Sequence, residues 1–584
     1  MYRDYTCGEL RKTDLGLEVK LAGWVQSRRD HGGLIFIDLR DRYGLTQVVF
    51  DPAVNAQTHE EASKLRREDV IQIIGKVRER KPGMDNPKLE TGQIEIITSA
   101  LQILNKAETP PLEVDDRIEG NEEIRLKYRY IDLRRPVMQK HLAFRHKVIT
   151  SVREYMNSHN FLEIETPLLV RATPEGARDY IVPSRINPGK FYALPQSPQL
   201  YKQILMVSGC DRYYQIARCL RDEDLRADRQ PEHTQIDLEM SFAHQEDILQ
   251  MVEGLYKHIV KKALNVELKE KFPRLSWQEA MTRYGVDKPD LRFGMELIDV
   301  TPVAHKSNFE VFKKAKYVKC LCAPKDFSRK EIDELTAFVQ QFGAKGLAWI
   351  KVTEKGLESS VTKFLSAEVQ KELINATSAK SGSTLFFMAG DFNIVHTSLG
   401  QLRNELGRRM NLIKSGELKF CWVIDFPLFE WNEEGQKWEA MHHIFSRPTD
   451  ETMEYCEKDP SKVIGLLHDL VLNGLELGSG SIRINQPEMQ ERMMKVIGLT
   501  HEQAMKKFGF LLESFKYGAP PHGGMGLGVD RICALLLGFN DIREVIAFPK
   551  NKNAECPMDG CPSDVPLDQL KELHIKVDMV KKKE

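Results

Sequence analysis

Two apolar, strand-patterned runs, Tyr213–Ala217 and Ile236–Met240, enclose a densely charged stretch from Arg221 to Glu232. A chain of this pattern has few options. The two runs pair as antiparallel strands, and the charges between them project as a long loop. Arg221 opens that loop in the string Arg221-Asp222-Glu223-Asp224, and Arg229-Gln230-Pro231-Glu232 closes it. An arginine at the end of a strand can hold a phosphate between two donors. Charge pattern alone favours a blander reading, a salt-laced surface hairpin.

At 584 residues the chain has room for about two to four domains. Hydrophobic residues make up 41% and charged residues 29%, as in a soluble globular protein. The start, Met1-Tyr2-Arg3-Asp4-Tyr5, lacks the apolar core of a signal peptide, and the run Ile532–Leu537 is too short to span a bilayer. A cytoplasmic protein with no membrane association is the expectation. Ten cysteines do not make a disulfide framework in so long a chain. Cys320 and Cys322 sit too close for a zinc pair, and Cys556 and Cys561 lack a second pair, so free thiols and no zinc are expected. Net charge is -1, and residues 1–105 carry 16 Lys and Arg against 16 Asp and Glu. The basic footprint of a nucleic-acid binder is absent, so any such function rests on local placement.

Five strand-like runs fill the first hundred residues: Val19–Val25, Leu34–Leu39, Leu45–Phe50, Val70–Val77 and Ile94–Leu101. Turn residues separate them, Asp30-His31-Gly32-Gly33 among them, and a helix is expected between Phe50 and Val70. The spacing suggests an OB-type barrel, with a sandwich as the alternative. Arg28, Arg29, Phe36, Arg40 and Gln47 cluster on the second and third strands. An exposed aromatic among arginines stacks unpaired bases; a Phe36 buried in the core fits the pattern as well. Residues 106–124, with Pro110 and Pro111, form a linker. His141–His159 has helical spacing, and Phe161–Thr166 alternates as a strand stopped by Pro167. Residues 290–420 alternate helical runs and short strands, an inserted α/β module without a chemical motif.

Three further segments carry chemistry. Gly523-Gly524-Met525-Gly526-Leu527-Gly528-Val529-Asp530-Arg531 precedes an apolar helix. Its glycines let a strand pass close to a ligand, and Arg531 stands at a helix start that favours anions. It has neither the Walker lysine nor the dinucleotide fingerprint. In His468–Ile484, Asp469 and Glu476 lie on one side of a strand-rich segment interrupted at Asn473-Gly474, and hard carboxylate oxygens suit Mg²⁺ on phosphates. Leu194–Lys202, with Gln196-Ser197-Pro198-Gln199, and Arg171–Tyr180 complete the set.

In this order the motifs resemble the class II aminoacyl-tRNA synthetases, class IIb, in their bacterial aspartyl form, over nearly the whole chain. The resemblance implies a multidomain α+β protein: an OB-fold anticodon-binding barrel (1–105), a hinge (106–124), a catalytic antiparallel sheet flanked by helices in two parts (125–289 and 421–562), an inserted GAD-like α/β module (290–420) and a C-terminal extension (563–584). It implies a homodimer. It gives ATP to Arg221, Asp222, Glu223, Gln230, His233, Glu476, Gly528, Val529, Asp530 and Arg531, with Arg221 and Arg531 as the catalytic pair, and Mg²⁺ to Asp469 and Glu476. The L-aspartate amino group falls to Glu175, Ser197, Gln199 and Asp237, and its carboxylates to Arg221, Lys202 and Arg483, with His442 closing over the pocket. The tRNA anticodon falls to Arg29, His31, Phe36, Gln47, Arg78 and Gly83.

The implied reaction is attack of the aspartate carboxylate on the α-phosphorus of ATP, then transfer from aspartyl-adenylate to tRNA. Positioning and charge neutralisation suffice for it. With asparagine, Lys202 and Arg483 would remain buried cations without a counter-charge, a cost above the ~1–3 kcal/mol of neutral groups. Such sites reject by roughly 10⁴–10⁵. His233 departs from the family, which commonly has phenylalanine against adenine. His31 and Gly83 resemble the relaxed type that charges both tRNA-Asp and tRNA-Asn, which implies an amidotransferase partner. Alternatives are a strictly discriminating aspartyl enzyme, an asparaginyl or lysyl relative, and a catalytically silent RNA-binding paralogue.

Overall fold

The computed structural model describes residues 1–117, 120–173, 177–223, 229–414 and 416–578. Glu175, Asp224 and the C-terminal Lys581–Glu584 lie outside the described residues. The chain divides into two compact units. One comprises Met1–His146, Leu225–Gln230 and Asp541–Val565, and the other Lys147–Asp224, Pro231–Asn540 and Pro566–Glu584. The expected block 421–562 is therefore split, its last part belonging with the barrel.

The first unit holds a closed barrel of β1 (Glu18–His31), β2 (Leu34–Arg40), β3 (Leu45–Phe50), β4 (Val70–Glu79) and β5 (Ile94–Asn105), in the order β1-β2-β3-β5-β4. Alternation builds it. Val19, Leu21, Val25, Ile35, Ile37 and Leu39 point inward and are fully buried. Phe36 stands between Ile35 and Ile37 on the other face, half-buried and outside that core. His31 is the last residue of β1, opposite Leu34, rather than part of a loop. Gly32 and Gly33, at φ 61° and 79°, make a two-residue turn whose handedness matches the strand twist. The helix Ala56–Ser63 starts where Asn55 accepts from Thr58 N–H at 3.1 Å, an ordinary N-cap. Beyond the barrel, buried Asp132 gathers Arg125, Arg129 and Arg135 at 3.0, 2.6 and 3.1 Å. Arg129 donates onward to the carbonyls of Ile546 and Ala547, each at 2.9 Å.

The second unit is organised on an eight-stranded sheet. Its order is Arg274–Ser276, Phe420–Ile424, Leu467–Leu472, Leu475–Ile482, His522–Gly528, Glu232–Ser241, Arg212–Leu220 and Leu162–Glu163. The six central strands are antiparallel, and each edge strand pairs parallel with its neighbour. The expected antiparallel sheet forms the six-stranded centre, and a short parallel strand is added at each edge. The strand expected over Phe161–Thr166 shrinks to two residues, and the helix before it runs Pro136–Ser158.

The insertion forms its own five-stranded sheet from Ile298–Asp299 to Thr384–Gly390, with every ladder antiparallel. It is an α+β module, not the α/β module that alternating helices and strands suggest. Helices Arg329–Gln340 and Phe392–Arg409 pack one apolar cluster around Leu321 and Phe386. Ala367–Thr377 packs another around Ile350 and Phe387.

Candidate active site

Alternation in the strand His522–Gly528 makes the floor of the site. Gly524, Gly526 and Gly528 fall on one face, while Met525 and Leu527 are fully buried on the other. Three missing side chains leave a bare strip of backbone. Directly across the sheet, Asp237 pairs with Gly526, Gly526 with Ser479, and Ser479 with Asp469. One row therefore carries a carboxylate on each side of the strip, three strands or roughly 14 Å apart. Glycine is obligatory at 524 for a local reason: a Cβ there would lie 2.1 Å from Glu239 Oε2.

Glu239 follows Asp237 by two residues and shares its face. Lys202, from the helix Gln199–Val207, places Nζ 2.8 Å from Asp237 Oδ1 and 3.3 Å from Glu239 Oε2. Arg483 reaches Glu239 through Nε at 2.8 Å and Nη2 at 3.2 Å, and also donates to Gly524 O and Ser481 Oγ. All four side chains are at least 98% buried. The two cations thus have counter-charges, contrary to the expectation that both stand open for a ligand carboxylate. Glu239 carries one signal in the sequence, its alternation with Asp237 along the strand Glu232–Ser241.

The histidine loop packs beside this cluster. His443 meets Arg483, with Nε2 2.5 Å from Nη1. Burial and the guanidinium push its pKa well below the ordinary histidine value, so it is neutral and Nε2 accepts. His442 turns instead toward Asp469, 3.8 Å from Oδ2, and packs on Phe426.

Asp469 and Glu476 come together as expected. The hairpin Leu467–Leu472 to Leu475–Ile482 turns at Asn473 and Gly474, φ 54° and 83°. Val471 faces Glu476, which puts Glu476 on the face of Asp469. Asp469 is fully buried, and neither of its carboxylate oxygens accepts a hydrogen bond of ordinary geometry. Burial, then the charge of Glu476, pushes its pKa well up. Lys288 partly offsets the pair, 3.3 Å from Glu476 Oε2. Two neighbouring carboxylates, one of them buried, offer the hard oxygens that a small divalent cation takes, and such a cation would favour the ionised form of Asp469, so the residues fit Mg²⁺.

Gln199 Nε2 and Arg221 Nε are buried without partners in hydrogen bonding. Arg221 leaves the strand where its N–H donates to Pro231 O at 2.8 Å. Asp222 N–H donates to Arg178 O at 3.1 Å, joining the hairpin to the segment after residue 176. Glu223 is half-buried beside it. Ser197 Oγ accepts from Gln199 N–H at 3.3 Å. An open cleft is lined by Thr173, Asp179, Gln196, Ser197, Tyr201 and Phe510.

His233 is half-buried and its pKa is lowered to about 4, first by burial and then by Arg221. It is a neutral ring at neutral pH. Asp530 serves the fold, since its Oδ2 accepts from Thr234 N–H at 2.8 Å and ties the helix Val529–Leu536 to the sheet. Val529 is fully buried, and Gly528 caps that helix. Arg531 donates to Glu476 O. Gln230 belongs to the first unit, where its amide exchanges hydrogen bonds with Lys550 N and O at 2.7 and 3.1 Å.

On the barrel, a polar chain runs beside Phe36. Arg29 reaches Asp38 at 2.8 Å and Gln47 at 3.4 Å; Gln47 donates to Glu95 at 2.7 Å, and Arg78 to Glu95 at 2.8 Å. Glu95 was not singled out from the sequence. His31, at the end of β1, and Gly83, with φ 80°, are both exposed.

An antiparallel sheet with a glycine floor, a charged hairpin at one end and acids at the other, in one chain with an OB barrel, is the build of a class II synthetase. The sequence pattern of tRNA synthetases class II (D, K and N) matches residues 121–552, and that of the OB-fold nucleic acid binding domain matches 19–104. The chain belongs to this class II tRNA synthetase family. It is 52% identical to the aspartate--tRNA(Asp/Asn) ligase of Caldanaerobacter subterraneus subsp. tengcongensis, over 99% of this chain and 98% of that one. It is 51% identical to the protein of that name from Treponema denticola, over 99% of each. Among solved structures, asparaginyl-tRNA synthetase from Pyrococcus horikoshii with asparaginyl-adenylate aligns at TM-score 0.60 and 20% identity, covering 94% of this chain and 98% of that chain. Aspartyl tRNA synthetase from Entamoeba histolytica aligns at 0.57 and 18%, covering 93% and 90%. These two likenesses concern the fold.

Proposed function

We propose that this chain activates L-aspartate with ATP and transfers it to tRNA-Asp and tRNA-Asn. The relatives named aspartate--tRNA(Asp/Asn) ligase support that substrate set. The observation that carries the chemistry is the row that sets Asp237 and Asp469 on either side of the glycine strip, with Arg221 Nε and Gln199 Nε2 buried and open to hydrogen bonding. Each unmade hydrogen bond of this kind costs about 1–3 kcal/mol, so the free protein holds them ready for a ligand.

Their chemistry fits the substrates. Asp237 Oδ2 is an acceptor for the α-ammonium group. Gln199 Nε2 is a donor, and Arg221 is a cation aimed at the carboxylate and α-phosphate as they approach each other. Lys202 and Arg483 come to the side-chain carboxylate already paired, which changes the specificity argument. Discrimination against asparagine rests on how these donors are oriented: Lys202 Nζ and the Arg483 guanidinium can only donate, and an asparagine amide would turn its NH₂ toward one of them. Asp469 and Glu476 would hold Mg²⁺, which supplies charge neutralisation to the triphosphate. Arg531 and neutral His233 flank the nucleotide. Carboxylate attack, pyrophosphate departure and transfer to the tRNA hydroxyl need no protein acid or base when the groups are held in line. We further assign a homodimer through the Pro136–Ser158 helix, a cytoplasmic location, and an amidotransferase acting on Asp-tRNA-Asn.

ATP–pyrophosphate exchange tests the reading. Aspartate supports exchange and asparagine does not, and the purified enzyme then charges both tRNA-Asp and tRNA-Asn. Exchange driven by asparagine would reverse the substrate assignment. Charging of tRNA-Asp alone would restrict it to the strict type.

A further inference from the structure

Two thiols and a carboxylate converge in the first unit, in the loop 551–562. Cys556 is buried, Cys561 half-buried and Asp559 exposed, and one ligand atom from each lies within 4.8 Å of the other two. This is the only such His, Cys, Asp or Glu group of three among the described residues. The loop backbone is closed around it. Cys556 N–H donates to Cys561 O at 2.8 Å, and Gly560 N–H to Cys556 O at 2.8 Å. Cys561 N–H donates to Asp559 Oδ1 at 3.0 Å, and both thiols hydrogen-bond the same carboxylate. Gly560, at φ 77°, lets the chain turn back tightly enough for the two sulfurs to face each other.

We propose that Cys556 Sγ, Cys561 Sγ and the Asp559 carboxylate form a binding site for a thiophilic divalent cation of the zinc type, with water as the fourth ligand. Tetrahedral zinc with Zn–S near 2.3 Å and Zn–O near 2.0 Å sets its ligand atoms roughly 3.5–3.8 Å apart. The loop therefore has to contract by no more than roughly 1.0–1.3 Å. Four residues between the cysteines lie at the upper end of the usual spacing. The pair has no second pair of cysteines, and Asp559 is the ligand that cysteine spacing alone does not announce. Thiolates select zinc over magnesium and calcium. Binding displaces two thiol protons, which leave to solvent as two sulfur–metal bonds form. A disulfide between the same cysteines would use two of the three converging groups and leave the Asp559 carboxylate idle, so the metal accounts for more of the geometry. The loop begins directly after Lys550, whose backbone clamps Gln230, and the bound cation would stiffen that attachment.

The test uses the full-length protein, reduced with a phosphine and kept anaerobic, with free thiols counted. Titration with Co²⁺ should give a thiolate-to-cobalt charge-transfer band that saturates at one equivalent and is bleached by Zn²⁺. Cys561→Ser should abolish the band. Asp559→Asn should weaken cobalt binding at least tenfold while leaving the melting temperature in chelator unchanged. Two results would overturn the proposal: no band in wild-type protein whose thiols are all free, or an equal band in Cys561→Ser. A Cys556–Cys561 disulfide that forms in air, with no band after reduction, counts against it in the same way.

Discussion

Arg483 and Glu239 form a two-point ion pair, 2.8 Å at Nε and 3.2 Å at Nη2, inside the sheet where both are at least 99% buried. The guanidinium fork is fixed in plane by that carboxylate, and Lys202 leans on the same oxygen at 3.3 Å. Glu239→Gln keeps the shape and removes the charge. Two buried cations then share only Asp237. Breaking one side of a buried pair costs about 3–5 kcal/mol, so chemical denaturation should show a loss near the lower end of that range. The KM for aspartate in pyrophosphate exchange should rise at least a hundredfold. Unchanged KM with reduced stability would confine Glu239 to the fold.

How much of this was legible in the sequence depended on the distance between partners. The glycine strip and Asp237 lie in short alternating runs, and both could be read. Glu239 lies on the same alternation but was hidden by its partner, since Arg483 is far away in sequence and nothing local announces the pair. His442 and His443 are neighbours in an irregular loop without a period, so only packing decides which one meets Arg483. Phe36 sits in Leu34-Ile35-Phe36-Ile37, where every residue is apolar and alternation vanishes. The barrel's curvature puts Ile35 and Ile37 inside and Phe36 out. In the insertion, helix–strand alternation resembled a parallel sheet, but the strands pair out of chain order and every ladder is antiparallel.

Arg221 carries a buried Nε without a hydrogen-bond partner, at the strand end where the hairpin departs. Arg221→Ala removes the cation that the ligand is expected to meet. Loss of one preorganised donor at developing charge costs roughly 10²–10³ in rate, and a lost charge costs more. Pyrophosphate exchange should fall at least about a thousandfold, while tRNA binding measured by filter retention stays within a factor of about two. A parallel loss of tRNA binding would show that Arg221 acts through the fold.

Asp469 combines full burial with a pKa pushed up by burial and by Glu476. A carboxyl raised in the folded state binds its proton more tightly there than when unfolded. Its ionised form therefore weakens the metal-free protein as pH rises through the ordinary carboxylate range and beyond. Asp469→Asn should raise the melting temperature in chelator at pH 8 by a few degrees. It should also raise the Mg²⁺ concentration for half-maximal exchange at least tenfold. A lower melting temperature in chelator would contradict the burial argument.

His233 has the opposite sign. Its folded pKa of about 4 lies below the unfolded value near 6.5, so the unfolded chain takes up the proton first as pH falls. The stability contribution is complete above about 6.5 and is lost on descent toward 4. His233→Phe should flatten the loss of stability between those limits and keep pyrophosphate exchange within about tenfold at neutral pH, because either ring offers a flat neutral face. A collapse of exchange in His233→Phe would mean that the imidazole makes a hydrogen bond to the nucleotide.

On the barrel, Gln47 is the link between Arg29 and the Glu95–Arg78 pair, at 3.4 and 2.7 Å, and Phe36 lies alongside on the outer face. Stacking on such an aromatic contributes about 1–3 kcal/mol per base. Phe36→Ala should therefore raise the KM for tRNA-Asp by roughly 10- to 100-fold, and Gln47→Ala should act in the same direction. Pyrophosphate exchange without tRNA should be unaffected in both, because the adenylate is made in the other unit. His31 ends β1 at an exposed two-glycine turn, free of the barrel core, so it can be exchanged without disturbing the fold. His31→Leu should lower charging of tRNA-Asn relative to tRNA-Asp at least tenfold, with tRNA-Asp charging preserved. Equal loss for both tRNAs would place His31 in general RNA binding and remove it from the choice between them.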